Sequence, residues 1–475
     1  MSTSEPGAEQ PMNRVKWLVT AVIWIAALSL AIAAPLPLSS AGHWALAGFL
    51  AALPVLILRP GSIPLAGAGI LMMSIFLLGS VPPEVVFHGF TSSAFWTLVP
   101  ALFFGHVLAK TGLGRRLAFY VIGVFHPTPL GMTLAWLCIG VILSLFTPSM
   151  TVRVSIMMPI ALNVITALRL SPRSAESAYI GFLAFIGATV PGNGWYTGTL
   201  TGPIVHGMLP AAIAETVTWT SYSQALIVPF LLITVLLLGY LILLRRPRGI
   251  HVPEETLAEG RRQLGPISKQ EIASAVILTS AFLAFVTIPW HHMSTAPICL
   301  AVLFIFFALG ILKAEDIPVG INWELIIFLG AVLALPTVLT ETGIVAWLEP
   351  SVKQMLTPLA SSLFIFVPVV MVCLYLVRFL DVAYGLASMG LMLAFTPMLQ
   401  AEFGIHPLVI AAISASVGLF FCLHYMSPFA LISNSLLEEQ GWSQGQLARL
   451  GVVYVVVSII SFVISIFYWR AIGIA

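Results

Sequence analysis

Charge is what this chain has least of. Only 8% of its 475 residues are Asp, Glu, Lys or Arg, while 59% are hydrophobic. Soluble domains carry about 25% charged residues, so a soluble fold is excluded. Cysteine is scarce too: Cys138, Cys299, Cys373 and Cys422 all lie in apolar runs without metal-ligand spacing. Neither a disulfide framework nor a metal cluster is expected, and the four read as small core residues. No Gly-x-Ser-x-Gly or His-Glu-x-x-His pattern occurs, and adjacent apolar segments hold no paired aspartates. An intramembrane hydrolase built on a serine and His424 is therefore only a remote alternative. The net charge of +2 carries no sign of nucleic-acid binding.

What the chain does have is a succession of apolar runs near the ~20 residues that a spanning helix needs. It reads as an all-α polytopic membrane protein. The first run, Trp17 to Ala34, ends in Ala31-Ile32-Ala33, a sequence a signal peptidase accepts. The run is long for a signal segment and another apolar run follows closely, so it is read as a retained span. The expected organisation is a disordered polar tail at 1–15, a first transmembrane helix at 16–42 and one repeat at 43–244. A basic cytoplasmic linker holding an interfacial helix follows at 245–271, then a second repeat at 272–475.

Four places interrupt the helical pattern. Thr147-Pro148-Ser149-Met150-Thr151-Val152-Arg153, closed by Pro159, brings proline, hydroxyls and a guanidinium together between two apolar arms. Ala387-Ser388-Met389-Gly390, running on to Pro397, is its counterpart in the second half. The two define re-entrant hairpins at 127–170 and 356–399. Pro191-Gly192-Asn193-Gly194, with Thr197 to Pro203, breaks another span, and Ser427-Pro428 breaks a fourth. Backbone that leaves the helix at membrane depth must be buried in protein or line a cavity. Paired interruptions in two halves point to a transporter binding site.

Treating both hairpins as re-entrant leaves eleven spans and opposite sides for the termini. With the N-terminus inside and the C-terminus outside, the basic residues of the tail, the linker and the short loops gather on the cytoplasmic side. Only Lys353 and Arg470 fall outside, which satisfies the positive-inside rule. The halves also match in order: Trp96 precedes Lys110-Thr111-Gly112-Leu113 as Trp323 precedes Glu341-Thr342-Gly343-Ile344. A hairpin, a broken helix and a full span follow each. The odd number of intervening spans makes this an inverted repeat, as in many secondary transporters.

These motifs resemble the divalent-anion/sodium symporter family. Trp323-Glu324-Leu325-Ile326-Ile327-Phe328-Leu329-Gly330, the Thr147–Arg153 tip and Gly198-Thr199-Leu200-Thr201-Gly202-Pro203 carry the likeness, which covers nearly the whole chain. The resemblance implies a homodimeric, elevator-type carrier of di- or tricarboxylates, sulfate or related acids in the cell's inner (plasma) membrane. It implies sodium coupling and no other cofactor, with proton symport and sodium-independent exchange as alternatives. Family tips carry Ser-Asn-Thr, whereas this chain has Met150 at one and Met389-Gly390 at the other. A thioether is a poor sodium ligand and donates nothing to a carboxylate.

The expected substrate-binding set is Ser149, Met150, Thr151, Arg153, Thr199, Thr201, Gly202, Ser388, Met389, Gly390, Ser427 and Pro428. Ion coupling is expected from Ser149, Asn193, Gly194, Gly198, Ala387, Asp381 and His424. Arg153 is the leading single candidate, because a charge at membrane depth costs ~2.5–3.5 kcal/mol on insertion scales and can grip a carboxylate bidentately. Bracing hairpin carbonyls or Asp381 is its other reading. Arg378 and Asp381, three apart, are expected to neutralise each other on one helix face. His106 reads as a core histidine. The methionines suit an acid with a hydrophobic part.

Overall fold

The computed structural model describes residues 9–126, 128–244, 262–381 and 385–475, and in these residues it is helical without strands. The polar tail is shorter than expected: α1 (Glu9–Ala33) already begins at Glu9. It packs on α2 (Ser40–Leu58), which packs on α3 (Leu65–Leu78). The first repeat continues with α4 (Ser93–Thr111), α5 (Leu113–Ile122), α6 (Pro129–Phe146), α7 (Met150–Ala167), α8 (Ala175–Thr189), α9 (Thr201–Met208) and α10 (Trp219–Leu244). Beyond the linker come α11 (Lys269–Val286), α12 (Thr295–Ala308), α13 (Trp323–Leu333), α14 (Leu335–Glu341) and α15 (Ile344–Leu356). The chain ends with α16 (Leu363–Val377), α17 (Leu386–Ala394), α18 (Thr396–Phe403), α19 (Pro407–Gly418), α20 (Pro428–Leu436) and α21 (Gln444–Ala471).

Among the described residues, nine helices are long and apolar enough to cross a membrane, and four shorter apolar helices accompany them. Both arms of the first hairpin, at 18 residues each, belong to the nine. Each is about 27 Å long, close to the ~30 Å hydrocarbon core, so the side on which each loop lies rests on the lysine and arginine distribution. The linker's basic stretch at 245–261, with its expected interfacial helix, lies outside the described residues. The linker's last residues are docked: Arg116 of α5 donates to the Leu264, Gly265 and Pro266 carbonyls and pairs with Glu271 (2.6 Å).

Element order repeats as the sequence indicates. Gly112 and Gly343 close α4 and α14 in the same left-handed conformation, each with φ +81°, which favours glycine because it has no Cβ. An amphipathic helix (α5 or α15), a hairpin, a helix ending at a break, a short helix and a long one (α10 or α21) follow in each half. The 322–343 segment is one 19-residue span, Trp323–Glu341, as expected, with a local junction at Ala334 where α13 meets α14. Pro336 opens α14 and cannot donate a backbone hydrogen bond to the preceding turn.

The halves interlock rather than sit side by side. The second hairpin arm of the first half, α7, packs on α20, while α9 packs on α17 and α19. Each half therefore sets its hairpin against the other's broken helix. The long helices α10 and α21 pack together, with the Trp469 indole donating to the Ala225 carbonyl (2.8 Å). Between α16, α19 and α21, Tyr375 OH bonds Ser416 (3.0 Å) and Ser458 (2.8 Å), a buried polar network with its hydroxyls satisfied.

Candidate functional site

Four helices begin at one small cavity. Met150 opens α7, Leu200 and Thr201 open α9, Leu386 and Met389 belong to the first turn of α17, and Ser427-Pro428 open α20. Leu329 of α13 and Leu419 complete much of the wall of this partly open cavity, whose water-accessible volume is about 40 Å³, room for a few waters. A helix N-terminus presents unpaired N–H groups and about half a positive charge. Four such ends begin at this cavity; the α17 end is already capped by the Asp381 carboxylate, so α7, α9 and α20 are the ends that attract an anion without a cationic side chain. Ser149 and Ser427 prepare two of these ends as N-caps, accepting from Val152 N and Ala430 N at 3.3 Å each.

Arg153 is fully buried but does not line the cavity. Its Nε donates to the Ala188 carbonyl (2.7 Å), and Nη1 donates to Thr147 O (2.8 Å) and Gly198 O (2.6 Å). One side chain thereby ties the first hairpin tip to both sides of the break between α8 and α9. Of the two readings of Arg153, the geometry matches the brace to backbone carbonyls. Nη2 lies buried beside Gly192 with no hydrogen-bond partner.

Within that break Asn193 is fully engaged. Its Nδ2 donates to Thr189 O (3.0 Å) and Val190 O (3.2 Å), and its Oδ1 accepts from Thr199 Oγ1 (3.0 Å). The glycines permit close backbone contact: a Cβ on Gly198 would meet Gly192 O at 2.2 Å, and one on Gly202 would meet Tyr196 O at 1.9 Å. Gly194 is buried in the same break. Thr201 reaches the cavity, whereas Thr151 is exposed on the outer face of α7.

The second tip departs from the expected register. Ser388 and Met389 sit inside α17 rather than at its start, and Gly385, with φ +70°, takes the N-cap position. Asp381 supplies the missing cap: its Oδ2 accepts from Ser388 N and Ser388 Oγ, both at 2.8 Å. Arg378 and Asp381 do lie together as opposite charges, as expected, but not through the expected helical spacing. Helix α16 ends at Val377, so the i,i+3 argument does not apply. Arg378 instead donates to the backbone carbonyls of Asp381, Val417 (3.3 Å) and Met426 (3.1 Å). Ala387 is half-buried, and Gly390 is buried where a would-be Cβ would make only ordinary contacts, Leu335 Cδ2 being nearest at 3.5 Å. The backbone of His424 lies in a 3₁₀ turn at the second break, while its side chain lies outside the described residues.

His106 is hydrogen-bonded, as read from the sequence, though half-buried rather than core: its Nε2 meets Asp316 Oδ1 (3.1 Å), and Lys110 Nζ pairs with Oδ2 (2.5 Å). Burial alone would raise the Asp316 pKa, but Lys110, His106 and the Lys313 amide outweigh it and hold the carboxyl below the usual carboxylate range. Of the cysteines, Cys299 and Cys422 are buried, Cys138 is half-buried and Cys373 is exposed, so the reading of all four as core holds for two. A cavity of about 560 Å³, flanked by Tyr196, His206, Glu215 and His292, went unseen in the sequence. Its walls come from four separate stretches of the chain, at 88–94, 196, 206–219 and 288–295, which no local motif marks.

The description "Sodium:sulfate symporter transmembrane region" matches residues 13–475. A candidate malate transporter, YflS of Bacillus subtilis (strain 168), is 24% identical over 74% of this chain and 75% of its own length. The L-tartrate/succinate antiporter of Escherichia coli (strain K12) is 23% identical over 86% of this chain and 88% of its own length. Among solved structures, the YdaH transporter of Alcanivorax borkumensis superposes with a TM-score of 0.55 at 15% identity. That match covers 83% of this chain and 89% of that one.

Proposed function

Because this chain belongs to the sodium:sulfate symporter transmembrane family, a family of membrane transporters and not of enzymes, we propose that it is an elevator-type secondary carrier of a small organic di- or tricarboxylate or of sulfate. The convergence of four helix N-termini on the cavity between the two halves is the observation that carries this reading. The anion binds there, its charge met by the positive N-terminal ends of α7, α9 and α20, with the α17 end held by the Asp381 carboxylate. Ser149, Thr201, Ser388 and Ser427 supply hydroxyls at or beside those helix starts. Arg153 and Arg378 keep each tip and break together so that the four ends move as one unit.

Sodium is the coupling ion in this proposal, held by backbone carbonyls of the tips and breaks, since hard cations prefer oxygen. A second reading, sodium-independent exchange of anions, is favoured by two observations. One relative is named an antiporter, and Asn193 spends both ends of its amide on internal hydrogen bonds. An inverted repeat, a homodimer, an inner-membrane location and a cytoplasmic N-terminus complete the proposal.

Uptake of radiolabelled sulfate, succinate and citrate into proteoliposomes tests it, with a sodium gradient, a proton gradient or internal unlabelled anion as the only drive. Sodium-driven accumulation supports symport, and uptake requiring internal anion supports exchange. No uptake under any drive would reject the carrier reading.

A further inference from the structure

We infer that the transported acid has an apolar body, and that Met150 and Met389 are the residues that select it. This rests on the carrier reading above and names the substrate class of the same cavity. The wall around the helix N-termini is hydrocarbon and sulfur: Met150, Leu329, Leu386, Met389, Leu419 and Phe429. Both methionines are buried, each 5% exposed. Among the described residues, Thr201 and Ser427 are the only hydroxyl side chains in the wall, and no described Lys, Arg, His, Asn or Gln side chain lines it. Ser427 Oγ already accepts from Ala430 N. The two tip arginines are directed at backbone carbonyls, outside the wall.

This division of labour separates the two parts of a ligand. Carboxylate oxygens are met by backbone N–H groups, which are indifferent to what lies between the acid groups. The atoms between them meet thioethers and methyls. A thioether sulfur is polarizable, accepts hydrogen bonds only weakly and donates none. A methyl substituent gains contact there, about fourfold in affinity for each buried methylene. A hydroxyl on the same carbon is buried without a good partner, and a hydrophobic wall rejects such a group by up to about 100-fold. The geometry therefore orders ligands as methyl-substituted diacid, then succinate, then malate and tartrate.

The test is thermal stabilisation of the purified full-length protein, titrated with phenylsuccinate, methylsuccinate, succinate, malate, tartrate, citrate and sulfate. The same acids serve as competitors of labelled succinate uptake in proteoliposomes. Methylsuccinate is expected to reach half-effect at about fourfold lower concentration than succinate, and tartrate at ~10–100-fold higher. In Met150→Asn and Met389→Asn the gap between tartrate and succinate closes, while Met150→Leu keeps the order. Tartrate or malate binding as well as methylsuccinate in the unmodified protein overturns the inference, a result that needs no variant to fold. Folded asparagine variants with an unchanged order overturn it too. If no acid in the panel stabilises or is transported, the carrier reading itself fails and this inference falls with it.

Discussion

Arg153 and Arg378 stand in different halves of the chain and on opposite sides of their hairpin tips, yet each bonds three carbonyls of the same three kinds. Each takes one from its own tip, Thr147 or Asp381, and one from the end of the helix before the break, Ala188 or Val417. The third comes from the far side of the break, Gly198 or Met426. Carbonyls freed by a broken helix cannot be left to lipid. A planar guanidinium with five donors on three nitrogens can reach several carbonyls at once, whereas a lysine ammonium has three donors on a single atom.

Arg153→Met leaves the Thr147, Ala188 and Gly198 carbonyls without their donor, at a cost of about 2–4 kcal/mol. A lower melting temperature and loss of uptake are expected, with Arg153→Lys recovering part of both. Stability and uptake equal to the unmodified protein's would show that the brace is dispensable.

Two glycines of the site should respond oppositely to the same substitution. Gly198→Ala drives a methyl to 2.2 Å from Gly192 O, a contact between two backbones that cannot give way. Gly390→Ala finds its nearest neighbour, Leu335 Cδ2, at 3.5 Å, an ordinary contact. Melting temperatures in detergent should fall sharply for the first and stay within about 0.5 kcal/mol of equivalence for the second. The reverse ranking would contradict the packing of the first break.

The Asn193–Thr199 hydrogen bond should appear as a coupling energy. Asn193→Ala and Thr199→Val each remove one side of a buried 3.0 Å contact. A double-mutant cycle on denaturation should return about 1 kcal/mol of interaction. Additive effects would mean that the two residues act independently.

Asp316 links stability to acid. A carboxyl whose folded pKa is lowered stabilises the fold fully above its unfolded value, about 3.9. That contribution is lost as the pH falls from there toward the folded value. The unmodified protein should therefore lose melting temperature more steeply below about pH 4 than Asp316→Asn does. Parallel curves for the two proteins would remove Asp316, with Lys110 and His106, from the acid response.

Much of the architecture was legible because the bilayer leaves a chain few choices. Apolar run length, the two Thr-Gly stops and the proline-containing breaks each follow from backbone hydrogen bonding in a medium without water. Less legible was where a tip begins. Ser388-Met389 looks like Ser149-Met150, yet Asp381 reaches seven residues forward to cap α17, and that displaces the register.

By itself the sequence determined the helical class, the order of elements repeated in the two halves and the places where helices break. These are local consequences of hydropathy, proline and glycine. It also singled out Arg153 as a buried charge whose position needed an explanation. Only the tertiary structure decided what satisfies that charge, because Ala188 and Gly198 lie 35 and 45 residues away along the chain. The same holds for the cavity. Its wall is assembled from α7, α9, α13, α17 and α20, and side chains so distant in sequence share a surface only once the two halves interlock.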